Sequence, residues 1–105
     1  MLQIYQVILD AVENMQPLVR RIELRDKDLG RQLRRASCSI ALNTAEGMYS
    51  RGKNRQLRYH TALGSARETL ACLELAQRCC AIAPTASLGA QLNRIIGTLV
   101  RLTCA

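Results

Sequence analysis

The chain has no phenylalanine and no tryptophan, and only three tyrosines (Tyr5, Tyr49 and Tyr59) among 105 residues. A core without large aromatics must rest on Leu, Ile, Val, Ala and Met. That suits interdigitating helices better than a sheet, whose surface favours aromatic and β-branched side chains. Histidine occurs once, at His60, so no nucleophile–base arrangement can be assembled around an imidazole. No hydrophobic run approaches the roughly 18–20 residues needed to cross a bilayer. Nor does a basic segment followed by an apolar stretch suggest a signal peptide. Five cysteines, at 38, 72, 79, 80 and 104, are odd in number and contain no CxxC, which argues against a disulfide framework. The absences predict a cytoplasmic protein that is not an enzyme, with no catalytic residue, no metal, no cofactor and no membrane partner.

Positive charge is what the chain has in excess, with a formal net charge of +7. From Arg25 to His60 nine basic residues (Arg25, Lys27, Arg31, Arg34, Arg35, Arg51, Lys53, Arg55 and Arg58) face three acids, Asp26, Asp28 and Glu46. The middle third therefore carries most of the excess, which favours a polyanionic partner.

A chain of 105 residues is one domain, 1–105. Apolar spacing predicts helices over about 2–24, 28–49, 53–82 and 86–103. The first carries Leu2, Tyr5, Leu9, Val12, Val19 and Ile22 on one side, and Pro17 predicts a kink or break near Met15. Asp28 is the expected N-cap of the second helix and Thr85 that of the fourth. Short connections make consecutive helices antiparallel neighbours in an all-α, up-down-up-down four-helix bundle.

The run Ala36–Ala45 bears no charge on any face, and a helix neutral all round is covered on several sides. The third helix has two apolar stripes. One is Tyr59, Leu63, Ala66, Leu70 and Leu73; the other is Leu57, Thr61, Gly64, Cys72, Leu75, Cys79 and Ile82. Between them runs a charged ridge of His60, Arg67, Glu74 and Arg78. A bundle this small cannot cover both faces, so self-association is expected.

The stretch Gln32-Leu33-Arg34-Arg35-Ala36, Ser39-Ile40, Asn43-Thr44-Ala45-Glu46-Gly47, followed by Gly64-Ser65 and Glu68, resembles the intervening-sequence proteins of large-subunit ribosomal RNA. Thr44 stands where that family usually has Ile. The resemblance implies a bacterial homo-oligomeric four-helix bundle, commonly a pentamer. It also implies kinship with the accessory protein of diversity-generating retroelements, which binds a reverse transcriptase and nucleic acid.

Individual residues divide into two groups. Asn43, Glu46, Gly64, Ser65, Glu68, Cys72 and Leu75 are expected in structural or oligomer contacts. Glu46 and Glu68 are expected to receive Arg34, Arg35 or Arg67 in interhelical ion pairs that fix register. Gly64, costing about 0.5–1 kcal/mol in a helix interior, is expected where another backbone comes close. The cysteines read as small buried hydrophobes. Arg31, Arg34, Arg35, Arg51, Lys53, Arg55 and Arg58 are the candidate contacts for RNA or DNA phosphates, with Tyr49 and Tyr59 flanking them for base stacking. The alternative is a solvated or interfacial face, with Tyr59 in the core and the oligomer holding a protein partner such as a reverse transcriptase.

Overall fold

The computed structural model describes residues 3–104, and Leu2 of the predicted first stripe lies outside them. Four helices account for nearly all of that span: α1 (Gln3–Arg25), α2 (Lys27–Met48), α3 (Gly52–Cys79) and α4 (Ala86–Thr103). One cluster of buried apolar side chains draws on all four, with Ile8, Met15, Leu33, Ile40, Leu73, Leu92 and Ile95 among its fully enclosed members. The helices meet in chain order around it, α1 with α2, α2 with α3, α3 with α4, and α4 with α1.

Local chemistry sets the ends. α2 is capped by Asp26, not Asp28: Leu29 N–H donates to Asp26 Oδ1 at 3.0 Å, and Asp28 falls in the first helical turn. Both aspartates can cap, but α1 persists to Arg25, so only Asp26 takes the extended backbone that an N-cap needs. Thr85 caps α4 by accepting from Leu88 N–H at 3.1 Å, as expected. Between α2 and α3 the turn rests on Gly52, at φ +58, a conformation glycine adopts without penalty. α3 stops at Cys79, three residues short of the prediction, because Ala81 turns left-handed at φ 56 and Ile82 folds back to donate to Ala76 O.

α1 runs unbroken through Pro17. The proline ring is exposed, as is Glu13, whose carbonyl loses its usual donor, so water can serve that oxygen. The buried side of α1 is also rotated from expectation. Ile4, Ile8, Ala11, Met15, Leu18, Val19 and Ile22 are enclosed, while Tyr5 and Val12 sit on the shoulder and Leu9 is exposed. The enclosed set keeps the i+3/i+4 rhythm of one stripe, whereas the Tyr5–Leu9 row lies one position round the helix.

Two glycines let α2 pack closely at opposite ends. A Cβ on Gly30 would fall 2.9 Å from the Glu23 backbone of α1, and one on Gly47 would meet the Tyr59 ring of α3 at 2.5 Å. Among the described residues no helix is long and apolar enough to cross a membrane.

Candidate nucleic-acid interface

The candidate cations do not converge. Arg31, Arg34 and Arg35 stand in the first turns of α2, whereas Arg51, Lys53, Arg55 and Arg58 surround the turn into α3. From Arg35 to the end of α2 at Met48 the helix rises roughly 20 Å at 1.5 Å per residue. The sequence places these groups close together; a straight helix holds them apart.

Their surroundings differ as well. Arg34 donates from Nη2 to Glu23 Oε1 at 2.6 Å, an α1–α2 ion pair. Arg31 and Arg35 line an open cleft of about 410 Å³ with Asp28, Gln32 and Glu68. Acids thus surround this group. The expected pairing is corrected here: Glu46 receives Arg58 Nε at 3.0 Å, not Arg34, Arg35 or Arg67. Glu68 makes no ion pair among the described residues. The reason is helical phase: Arg34 faces α1, and Glu46 lies beside the start of α3.

At the other end, Arg51, Lys53, Arg55 and Arg58 are all exposed, and Tyr49 is 84% exposed beside them. Arg55 Nε donates to Ser50 O at 2.9 Å, which holds that side chain across the turn. α3 begins here with no side-chain cap and no acid in its first turn. The positive end of its dipole therefore reinforces the field. Tyr59 does not join: it is 5% exposed, under Gly47, so it is a core residue and offers no stacking face. Burial raises its hydroxyl pKa from the usual 10.0, against the opposing pull of Arg55.

α4 contributes two cations that sequence distance hid. Gln56 Nε2 donates to Thr103 O at 3.5 Å, and Gln3 and Ile4 share a cleft with Thr98 and Arg101, so the last turns of α4 lie at this same end. Asn14 Nδ2 donates to Gln91 Oε1 at 3.4 Å, which sets Asp10 of α1 at the level of Arg94, and the two share a cleft. Counted over residues 3–11, 42–63 and 94–103, this half of the bundle holds six cations (Arg51, Lys53, Arg55, Arg58, Arg94 and Arg101) against two acids, Asp10 and Glu46. The other half holds the remaining nine basic and six acidic side chains. Only the mixing of helix ends in space reveals this, because Arg94 and Arg101 are far from the turn in sequence.

The structural set sorts into two kinds. Asn43 Nδ2 donates to Ser39 O at 2.9 Å and to Ser39 Oγ at 3.0 Å, while Ser39 and Ser65 share a 2.7 Å hydroxyl contact. Ser39 and Ser65 therefore tie α2 to α3 within one chain, and Asn43 holds the Ser39 hydroxyl from its own helix. Cys72 belongs to the core, being 2% exposed and not on an outer stripe. It stands three residues after buried Thr69 and four before buried Ala76, hence on their face. Its thiol is raised from 9.0 by burial and by neighbouring Glu68. Ile82, also assigned to the outer stripe, is buried beyond the helix end.

Gly64 and Leu75 remain outside. No atom lies within 4 Å of a Cβ built on Gly64, so the expected close approach does not occur inside the chain. Leu57, Thr61, Gly64 and Leu75 are exposed along α3, and Leu42 is exposed on α2. The bundle covers more of the neutral run than expected, burying Ala36, Ser37, Ile40, Ala41 and Thr44, yet Leu42 stays 65% exposed. All five cysteines are free, but only Cys72 and Cys80 are buried as expected; Cys79 and Cys104 are exposed and Cys38 is half-buried.

A family model described as 23S rRNA-intervening sequence protein matches residues 1–101. No curated protein matches the chain. Among solved structures, a protein with unknown function from the S23 ribosomal protein family of Bacteroides thetaiotaomicron VPI-5482 superposes with a TM-score of 0.80 at 19% identity. The superposition covers 97% of this chain and 99% of that one. At that identity the likeness speaks for the fold, and the four-helix arrangement agrees with it. With a match over almost its whole length, the chain belongs to the 23S rRNA-intervening sequence protein family.

Proposed function

We propose that this chain is an antiparallel up-down-up-down bundle that binds the phosphate backbone of RNA or DNA through its basic half, without catalysing a reaction. Support for the antiparallel order comes from the α2–α3 contacts, where Gly47 meets Tyr59 and Ser39 meets Ser65, so numbers fall on one helix as they rise on the next. The scarcity of acids carries the binding reading: six cations face two acids in one half, beside an exposed tyrosine, whereas six acids offset nine cations in the other. Phosphates bind such a surface by releasing counterions, with no need for base contacts, and Tyr49 supplies a stacking face. Free thiols throughout suit a reducing cytoplasm.

The bundle works as a homo-oligomer, a pentamer by its family resemblance. What supports self-association is the stripe of Leu42, Leu57, Gly64 and Leu75, which the single chain leaves open. Sedimentation at micromolar concentration should show an assembly, and Gly64→Leu should dissociate it; a wild-type monomer would remove this part of the reading. The same leucines favour a second reading, a scaffold for a protein such as a reverse transcriptase. A monomer that recovers an oligomer-sized mass only with such a partner would favour it.

Salt titration tests the binding reading. The logarithm of the affinity for a short RNA should fall linearly with log salt, and lose slope when Arg51, Lys53 and Arg55 become Ala. No binding at low salt would end it.

A further inference from the structure

Between α1 and α4 the surface opens into two clefts, of about 370 and 290 Å³. Arg94 lines both, which joins them into one trough. Its lining is rich in donors: Gln91 and Ser87 at one end, Gln3 and Thr98 at the other, with Asp10 the single acid. Amides, hydroxyls and arginines are the side chains that contact phosphate oxygens.

Arg101 is already positioned there. Its Nη2 donates to Thr98 Oγ1 at 3.1 Å, and Nη1 lies 3.7 Å from where a Cβ on Gly97 would stand. The guanidinium is therefore folded back along α4 toward Arg94, and less side-chain freedom is lost when it binds. Arg94 and Arg101, two helical turns apart on one face, are separated by about 10 Å, roughly three phosphate steps of a stacked strand at 3.4 Å each. The Gln56–Thr103 hydrogen bond brings the end of α4 to the start of α3, so the trough opens beside Lys53 and Arg55.

We propose that a single nucleic-acid strand engaged at the α2–α3 turn continues into the α1–α4 trough, where Arg94 and Arg101 hold its phosphates. The proposal rests on the nucleic-acid reading above and extends it to a second surface and a strand type. Helices pack about 10 Å apart, so a trough between two of them admits one strand and not a duplex. The trough is also remote from the leucine stripe of α2 and α3, the surface that argues for self-association.

Fluorescence anisotropy with labelled oligouridine and oligothymidine at low salt tests this. Arg94→Ala/Arg101→Ala should weaken both strands about tenfold and reduce the salt slope by about 1.4. Loss confined to oligouridine supports the trough and assigns it to ribose-bearing strands. Asp10→Asn should tighten binding, a gain that misfolding does not produce. Arg20→Ala/Arg21→Ala, in the half where acids offset most of the cations, serves as the control. If the wild type binds but the Arg94/Arg101 variant matches it, or if the control loses as much, the trough is wrong and the basic-half reading stands. A blunt duplex that competes as well as the strand would also overturn it. A wild type that binds neither strand removes both.

Discussion

The two ends of α2 lie beside similar numbers of arginines and differ in how many acids offset them. Around Arg31, Arg34 and Arg35 stand Glu23, Asp28 and Glu68, one of them in a 2.6 Å ion pair. Around Arg51, Lys53, Arg55 and Arg58 stands only Glu46. An arginine among carboxylates holds helices in register; an arginine without them projects a field. Counting charges along the chain merges these groups, and only their separation along a rigid rod distinguishes them.

The same two ends differ in how tightly they pack, and this gives the largest expected effects. Gly30→Ala puts a methyl against the Glu23 backbone, which cannot step aside, and should cost about 3 kcal/mol in chemical denaturation. Gly47→Ala meets the Tyr59 ring, which can shift partly, and should cost about 2 kcal/mol. Equal losses would mean that the two ends are packed alike.

Charge removal follows. Arg51→Ala/Lys53→Ala/Arg55→Ala should weaken RNA binding about 30-fold at low salt, and Arg31→Ala/Arg34→Ala/Arg35→Ala by less than about threefold. Equal losses from the two triples would erase the distinction between the ends.

Between the ends sits Thr44, wholly buried, with a hydroxyl that has no hydrogen-bond partner. Thr44→Val keeps the shape and removes the orphan group, so the denaturation midpoint should rise by the equivalent of about 1 kcal/mol. No gain would place an unseen water on that oxygen.

High pH should erode the fold next. Tyr59 and Cys72 both have raised pKa values, so the folded state keeps protons that the unfolded chain releases. Their contribution is complete below 9.0 and is lost as pH climbs past 9.0 and 10.0 toward the raised values. Denaturation at stepped alkaline pH should show this fall, and Tyr59→Phe should flatten its upper part. The smallest effect belongs to Glu46→Gln. Both members of its ion pair are about half exposed, so stability should change by less than about 0.5 kcal/mol. RNA affinity should rise nevertheless, because the acid beside the α2–α3 turn is gone.

Much of this architecture was legible in residue order. The number of helices, the core stripe Tyr59–Leu63–Ala66–Leu73, the Thr85 cap and the exposed ridge of His60, Arg67, Glu74 and Arg78 all follow from the helical period and from capping chemistry. What was hidden required partners. Arg34 finds Glu23 only because α1 returns beside α2. Arg94 and Arg101 join the basic half only because α4 ends beside the start of α3. The spacing of α3 could not show that Gly47, next to last in α2, is what makes room for the Tyr59 ring.

The links between helices are unequal in slack. Asp26 alone separates α1 from α2, while Cys80 through Thr85 separates α3 from α4. The six-residue link gives α4 the slack to seat on a neighbouring bundle without distorting its own, should two copies of this chain trade segments. Such an exchange would carry Arg94 and Arg101 onto another copy's bundle, making the electrostatic surface a joint property of two chains.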